Sequence, residues 1–155
     1  VKVLMDNNKD FVILGNMNAI TYKEVFPYIK ENKIKMGYGF NKVMEFDVPD
    51  TYQSKNGVVK VPAICWYTTL QISKYHENMV LFRKYNPEAY PRYDNYDAIN
   101  VDKTCDIPED YDGAMGVPIS FFDKYNPDQF EIIGKIDPVC RGKRIYKRLL
   151  IKKKS

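Results

Sequence analysis

The stretch Phe11-Val12-Ile13-Leu14-Gly15-Asn16-Met17-Asn18 decides the expected fold, because it joins an apolar run to a turn that leads into a helical pattern. The apolar run before Gly15 predicts a buried strand of the parallel type. Thr21 stands three residues before Glu24 in capping-box spacing, so a helix is predicted from about residue 20 to residue 32. Pro27 lies inside that range, and the helix is expected to kink or break there. Strand, turn and helix make one unit of an α/β fold.

The rest of the chain favours strands and loops. Residues 43–48 alternate apolar and acidic side chains, and residues 58–61 are expected to pair with them as a hairpin across a turn at 54–57. Residues 63–69 are dense in strand-forming types. Further strands are predicted at 79–82, 130–136 and 144–151, and residues 85–118, rich in Tyr, Asp, Asn and Pro, are interpreted as a long ordered loop.

Two features of the loop region leave alternatives open. Lys-Tyr-Asn-Pro occurs at 84–87 and at 124–127 with different flanks, so both copies are interpreted as turns and not as a repeat. Exposed aromatic rings beside cations could stack on nucleobases. Acidic residues outnumber basic residues in this region, however, so packing of the rings on the domain is favoured. The tyrosines concerned are Tyr85, Tyr90, Tyr93, Tyr96 and Tyr111, with Arg92 and Lys103 nearby in sequence.

Common catalytic and metal motifs are missing from this sequence. No phosphate-binding Gly-x-x-x-x-Gly-Lys loop, dinucleotide-binding Gly-x-Gly-x-x-Gly or nucleophile elbow occurs. The single histidine, His76, lies in a polar segment and is interpreted as solvated. Three widely spaced cysteines offer no zinc pattern, so no metal site is predicted, and they are expected to be reduced thiols of a cytoplasmic protein. No apolar run is long enough to span a membrane.

Positive charge is concentrated at the end of the chain. Residues 135–155 hold nine Lys or Arg and one acid, a local net charge of +8, whereas the remaining residues carry a net charge of −4. A basic segment on a slightly acidic body suggests a polyanionic partner. Its apolar residues Ile145, Tyr146, Leu149, Leu150 and Ile151 are expected to pack while the cations face outward. The alternative is an edge strand that lysines protect against aggregation.

Two stretches resemble a known family. The segment from Ile13 to Glu24 is similar to part of the EcoRI-type adenine-specific DNA methyltransferases. So are residues 93–101, continuing through 110–113, 116–121 and 126–132. The similarity extends along most of the chain.

The resemblance implies transfer of a methyl group from S-adenosylmethionine to N6 of adenine in double-stranded DNA, with flipping of the target base. It also implies an α/β fold: part of a Rossmann-like methyltransferase core with a mixed sheet, followed by a strand- and loop-rich C-terminal region. The family's catalytic Asn/Asp-Pro-Pro-aromatic motif and its Gly-rich donor-binding strand end are absent from these residues. No catalytic residue is therefore assigned, and the chain alone is expected to be inactive, as the C-terminal part of an enzyme whose N-terminal remainder is a possible partner.

The resemblance places Asn16 and Asn18 at the edge of the substrate or donor pocket, although both residues also suit a simple turn. Residues 1–35 would form the strand-turn-helix unit of the core. Residues 36–155 would close the sheet and recognise DNA, with both parts in one compact domain. The predicted DNA contacts are Arg92, Lys103, Arg141, Lys143, Arg144, Lys147 and Arg148. The competing interpretations are a non-catalytic nucleic-acid-binding module with a basic C-terminal strand, and an α+β interaction domain with a basic tail.

Overall fold

The structure, a computed structural model, describes residues 1–52 and 54–155, without the side chain of Lys55. It is a mixed α/β structure in which strands outnumber helices, and it contains a mixed sheet, as predicted. The chain forms two compact units, residues 1–71 and residues 72–155. The predicted division at residue 35 falls inside the first unit; the assignment of separate functions to 1–35 and 36–155 stays a prediction.

The first unit contains a three-stranded sheet and a separate hairpin. Its helices are α1 (Lys2–Asp6), which was not predicted, and α2 (Phe26–Lys30). Its strands are β1 (Val12–Asn16), β2 (Lys35–Met36), β3 (Met44–Asp47), β4 (Val58–Val61) and β5 (Ile64–Thr68). The sheet order is β1-β5-β2, and β3 pairs with β4 as the predicted hairpin. The strands predicted at 43–48, 58–61 and 63–69 are confirmed.

The prediction that β1 is a buried parallel strand is wrong. β1 pairs antiparallel with β5, with Val12 opposite Thr68 and Asn16 opposite Ile64. It is an edge strand whose side chains alternate in exposure, and Val12 and Leu14 are 56% and 39% exposed. A short apolar run indicates a strand, but its direction depends on a partner about fifty residues later, which the run cannot specify.

The helix predicted from residue 20 to residue 32 is divided. A 3₁₀ helix occupies Met17–Thr21, and α2 begins only at Phe26. Pro27 lies in the first turn of α2, where no intrahelical N–H bond is needed. Thr21 is not at the N-cap position of α2, which is Val25, and its hydroxyl donates to the carbonyl of Asn18 at 2.8 Å. The proline therefore marks a helix start, not an internal kink.

The second unit is built around a four-stranded mixed sheet. Its strands are β6 (Ile99–Asn100), β7 (Met115–Val117), β8 (Phe130–Ile136), β9 (Val139–Cys140), β10 (Lys143–Arg144) and β11 (Arg148–Lys153). The sheet order is β6-β7-β11-β8, with only β6 and β7 parallel, while β9 and β10 form a separate hairpin. Side chains that are at most 2% exposed fill its core: Met115, Phe121, Phe122, Phe130, Ile132, Leu149 and Ile151.

The strand predicted at residues 144–151 is in fact two elements. β10 pairs with β9, whereas β11 lies between β7 and β8 in the sheet. β11 is therefore an interior strand, and the interpretation of this region as a lysine-protected edge is wrong for it. The backbone of β11 hydrogen-bonds to β7 on one side and to β8 on the other. Leu149 and Ile151, which are 2% and 0% exposed, pack in the core. The strand predicted at 130–136 is confirmed.

The region before β6 is mostly without regular structure. Residues 79–82, predicted as a strand, are not one; the carbonyl and N–H of Met79 bond instead to the side chain of Gln129. Both Lys-Tyr-Asn-Pro copies are turns, as predicted, because Asn86 and Asn126 each accept a backbone N–H two or three residues later. The favoured packing of the tyrosines is also confirmed: Tyr90 and Tyr93 are both 6% exposed.

Some remaining observations concern the described part of the chain as a whole. None of its helices has the length and apolar character needed to cross a membrane. Cys65, Cys105 and Cys140 are free thiols. His76 is exposed and lies 3.1 Å from a carboxylate oxygen of Asp128. No cluster of three or more His, Cys, Asp or Glu suited to a metal ion occurs within residues 1–52 and 54–155.

Candidate nucleic-acid interface

A group of exposed cations lies on the hairpin of β9 and β10. Its turn consists of Arg141 and Gly142, with φ angles of 51° and 74°. Positive φ at both central residues is the requirement of a type I′ turn, whose twist suits a two-residue hairpin. The tight turn projects Arg141, Lys143 and Arg144, all exposed, at the end of the hairpin.

Two neighbouring residues, Asp94 and Asn95, hold this hairpin in place. The carboxylate of Asp94 accepts the N–H of Gly142 at 2.8 Å, and its own N–H donates to the carbonyl of Val139 at 2.7 Å. The Asn95 side chain accepts from the N–H of Val139 at 2.8 Å and donates to the carbonyl of Asp137 at 3.0 Å. The hairpin is therefore fixed by hydrogen bonds from another segment and not by its own two short strands alone.

Four exposed cations in and beside the hairpin have no acidic partner within the described residues. They are named here the hairpin cations: Arg141, Lys143, Arg144 and Lys147. Elsewhere in this unit, Arg83 pairs with Asp106 and Lys84 with Glu109. Cations without internal partners remain available for an external anion.

The positive charges reinforce one another near Lys147. The pKa of Lys135 is lowered, first by burial and then by the positive charge of Lys147, and Asp137 opposes the shift. Burial is the larger cause of the lowered pKa, and the smaller contribution of Lys147 means that the two ammonium groups are close enough to repel each other. An anionic ligand there would relieve that repulsion.

The other predicted DNA contacts differ in their surroundings. Arg92 is exposed and forms an ion pair with Asp97. Lys103 is exposed, apart from the hairpin in sequence. The Arg148 side chain is only 15% exposed, its Nη2 is 3.9 Å from Asp102, and its Nε is buried with no hydrogen-bond partner. Arg148 is placed to support the fold more than to reach a phosphate.

Arg148 belongs to a polar network under the sheet. The Tyr93 hydroxyl donates to Asn100 at 2.9 Å, and the Asn100 side-chain amide donates to Asp102 at 2.7 Å. Burial raises the pKa of Tyr93, while the positive charge of Arg148 opposes that rise. Because Tyr93 immediately precedes Asp94, the network anchors the segment that holds the hairpin.

Tyr146 is the exception to the predicted packing of apolar residues in the basic segment. Ile145 packs on the core cluster of Tyr93, Ala98 and Ile136, and its N–H donates to the carbonyl of Pro138 at 3.0 Å. Tyr146, the next residue, is 91% exposed. The two adjacent side chains therefore differ in their surroundings, because Ile145 packs on the core cluster while Tyr146 is open to solvent.

Asn16 and Asn18, predicted at a pocket edge, lie together at the carboxyl end of β1. Both are exposed. The Asn16 side-chain oxygen accepts the N–H of Asn18 at 2.8 Å and caps the 3₁₀ helix that follows. This arrangement accounts for Asn16 as a turn residue, and the pocket role of both residues stays a prediction.

A separate open cleft of about 420 Å³ lies in the second unit. Arg83, Lys84 and Asp106 line it, together with Phe82 and Tyr90. The two cations are already paired with acids, so this cleft offers an anion less free charge than the hairpin does.

Reasoning from the sequence missed Asp94, Asn95 and Tyr146 as interface residues. Asp and Asn side chains commonly bond to backbone groups, but the sequence does not show that these two act on a hairpin more than forty residues away. One feature of the sequence could have indicated that Tyr146 is exposed: it lies between Arg144 and Lys147, shortly after an Arg-Gly turn.

Comparisons with known proteins agree on one family. The family described as "Adenine-specific methyltransferase EcoRI" matches residues 1–154. The chain is 45% identical to "Type II methyltransferase M.EcoRI" of Escherichia coli, over 97% of this chain and 52% of that protein. It is 36% identical to "Type II methyltransferase M.MgeORF184P" of Mycoplasma genitalium, over 100% of this chain and 60% of that protein. No solved structure matches the chain.

Proposed function

Because the chain belongs to the EcoRI-type adenine-specific methyltransferase family, we propose that it supplies DNA contact and core completion to a site-specific DNA methyltransferase. The reaction proposed for the whole enzyme is methylation of adenine N6 by S-adenosylmethionine in a restriction-modification type system. The chain spans about half the length of the curated relatives it matches, 52% and 60% of the first two. In this proposal it does not methylate DNA alone.

The observation that carries the DNA-contacting role is the set of hairpin cations. Four exposed Lys or Arg residues without acidic partners stand within seven positions, on a hairpin fixed by Asp94 and Asn95. Phosphate contacts from such groups position a protein on the duplex and release counterions. We assign phosphate contact to the hairpin cations and, as a separate exposed cation, to Lys103. Arg92 and Arg148 are expected to contribute less to DNA binding, because each lies near an acidic side chain of this protein.

Core completion is proposed for the first unit, as part of a Rossmann-like methyltransferase core. β1 lies at the edge of the sheet β1-β5-β2, and it presents Val12 and Leu14 at 56% and 39% exposure. An edge strand with exposed apolar side chains can accept another strand. This supports a position beside the catalytic strand of the enzyme, with Asn16 and Asn18 near the pocket.

The described residues do not by themselves fit S-adenosylmethionine. Asn16 uses its side-chain oxygen in the turn, and both asparagines are exposed instead of enclosed. We therefore assign donor binding and the catalytic motif to the part of the full-length relatives that this chain does not match.

Salt dependence of DNA binding tests the role of the hairpin cations. When these residues are changed to Gln, singly and together, we expect a shallower slope of log affinity against log salt, by about 0.9 for each phosphate that the protein no longer neutralises. A matched control removes the same charge from exposed lysines of the first unit: Lys2, Lys9, Lys23 and Lys30. An unchanged slope in the fourfold variant, or an equal change in the control, would count against the proposal.

A chimaera distinguishes the proposed role as part of an enzyme from the alternative role as a non-catalytic nucleic-acid-binding module. This chain would replace the aligned segment of the E. coli relative, to which it is 45% identical. We expect adenine methylation by the folded chimaera, and loss of methylation when the hairpin cations are changed to Gln. The isolated chain should bind S-adenosylmethionine weakly or not at all. A folded chimaera that binds DNA and donor but transfers no methyl group would favour the non-catalytic alternative.

A further inference from the structure

Tyr146 has an environment that its role in the fold does not explain. Its side chain is 91% exposed, the highest value among the large hydrophobic residues of the described chain. The segment is anchored before and after it: Ile145 packs on the core cluster, and Arg148, two residues later, begins β11 opposite Ile136. The ring itself contributes little buried area to the fold.

The charges around Tyr146 indicate what the ring can contact. Arg144 and Lys147 flank it closely in sequence, and both are exposed without an acidic partner in the described chain. An aromatic ring between free cations suits a ligand with flat apolar faces on an anionic backbone. Nucleic acid has both properties, because every base has a π face and every linkage carries a phosphate.

We propose that Tyr146 stacks on a base exposed in DNA, while Arg144 and Lys147 hold the phosphates on either side. This inference rests on the proposed DNA contact, and it assigns the contact with an unstacked base to the ring of Tyr146. A fully paired duplex hides the base faces in its stack, so the contact favours DNA that contains an unpaired or displaced nucleotide. The hairpin cations alone would bind both forms through their phosphates, with little preference.

The test compares affinities of the full chain for two DNAs of equal length and charge. One is fully paired and the other carries a single unpaired nucleotide that contains 2-aminopurine, whose fluorescence reports stacking. We expect the native chain to prefer the second DNA and to quench its fluorescence. The variant Tyr146→Ala should weaken that complex by about tenfold and lose the quenching, since stacking on one base is worth roughly this factor or more.

Two controls make the outcome specific. Tyr146→Phe keeps the ring and should retain both preference and quenching. Tyr52→Ala removes a 58% exposed tyrosine of the first unit and should change neither. Because Tyr146 is almost fully exposed, its substitution leaves the fold intact, which a thermal melt checks.

The failures of the two proposals are distinguishable. Salt-dependent binding that is sensitive to the hairpin cations, with equal affinities of Tyr146→Ala and the native chain for the unpaired DNA, would overturn the stacking role and leave the DNA-contacting role standing. No DNA binding by the native chain at low salt would overturn both.

Discussion

Gly116 in β7 allows a direct test of how closely Tyr93 packs in the second unit. A Cβ at this position would lie 2.1 Å from the Tyr93 hydroxyl and 2.6 Å from its ring carbon Cε2. Gly116→Ala therefore cannot be accommodated without moving Tyr93, which is 6% exposed and lies in the core cluster with Ala98 and Ile136. The substitution tests whether this close approach of ring and backbone stabilises the second unit.

The expected cost follows from the hydrogen bonds that a displaced Tyr93 could no longer make. Its hydroxyl donates to Asn100 at 2.9 Å and approaches the carbonyl of Gly116 at 3.2 Å. Loss of a buried hydrogen bond costs about 1 kcal/mol, and overpacking of a core adds about 1–3 kcal/mol. We expect Gly116→Ala to lower the free energy of unfolding by about 3 kcal/mol.

Urea denaturation measures this change, and the same sheet provides a matched control. A Cβ at Gly134 in β8 meets nothing within 4 Å, so Gly134→Ala should change the stability by no more than about 0.5 kcal/mol. In a Tyr93→Phe background, Gly116→Ala should cost less because the nearest clashing atom is gone. Equal stabilities of the two alanine variants would refute the reasoning.

Two further predictions concern the support of the hairpin and the pH dependence of stability. Asn95→Ala removes the hydrogen bonds to Val139 at the start of the hairpin and to Asp137 just before it, but no charge, so DNA titrations should show weaker binding with the same salt slope as the native chain; a shallower slope would mean that Asn95 acts through charge. Burial raises the pKa of Tyr125 to about 12 from 10.0, so the folded state keeps this phenol neutral after the unfolded chain has ionised. Stability from this group is fully present below pH 10 and is lost between pH 10 and pH 12, up to about 3 kcal/mol. Tyr125→Phe should lose less stability over that window in alkaline urea titrations; a parallel decline in both proteins would contradict the assignment.

Prediction of the fold succeeded where the local pattern was sufficient. The alternation at 43–48, the turn before 58–61 and the apolar runs at 64–68 and 130–136 each correspond to a strand. Prediction failed where a partner decided the structure. The direction of β1 depends on β5, and the division of 144–151 depends on the separate partners of β10 and β11.

The candidate interface shows the same limit. Sequence reasoning identified the hairpin cations from their density, and the structure places all four in or beside one hairpin. It also selected Arg148, whose side chain is mostly buried, because charge alone does not reveal exposure. Burial is a property of the folded chain, since it depends on which segments pack over a residue.

The sequence alone determined the positive charge of residues 135–155, the family membership and most of the strands. Charge, motif strings and side-chain periodicity are local properties of a sequence. Only the tertiary structure decided that β11 is an interior strand and that Asp94 and Asn95 fix a hairpin distant in sequence. It also decided that Tyr146 points away from the core that Ile145 enters. These features require hydrogen bonds and packing between residues far apart in the chain, which no local pattern encodes.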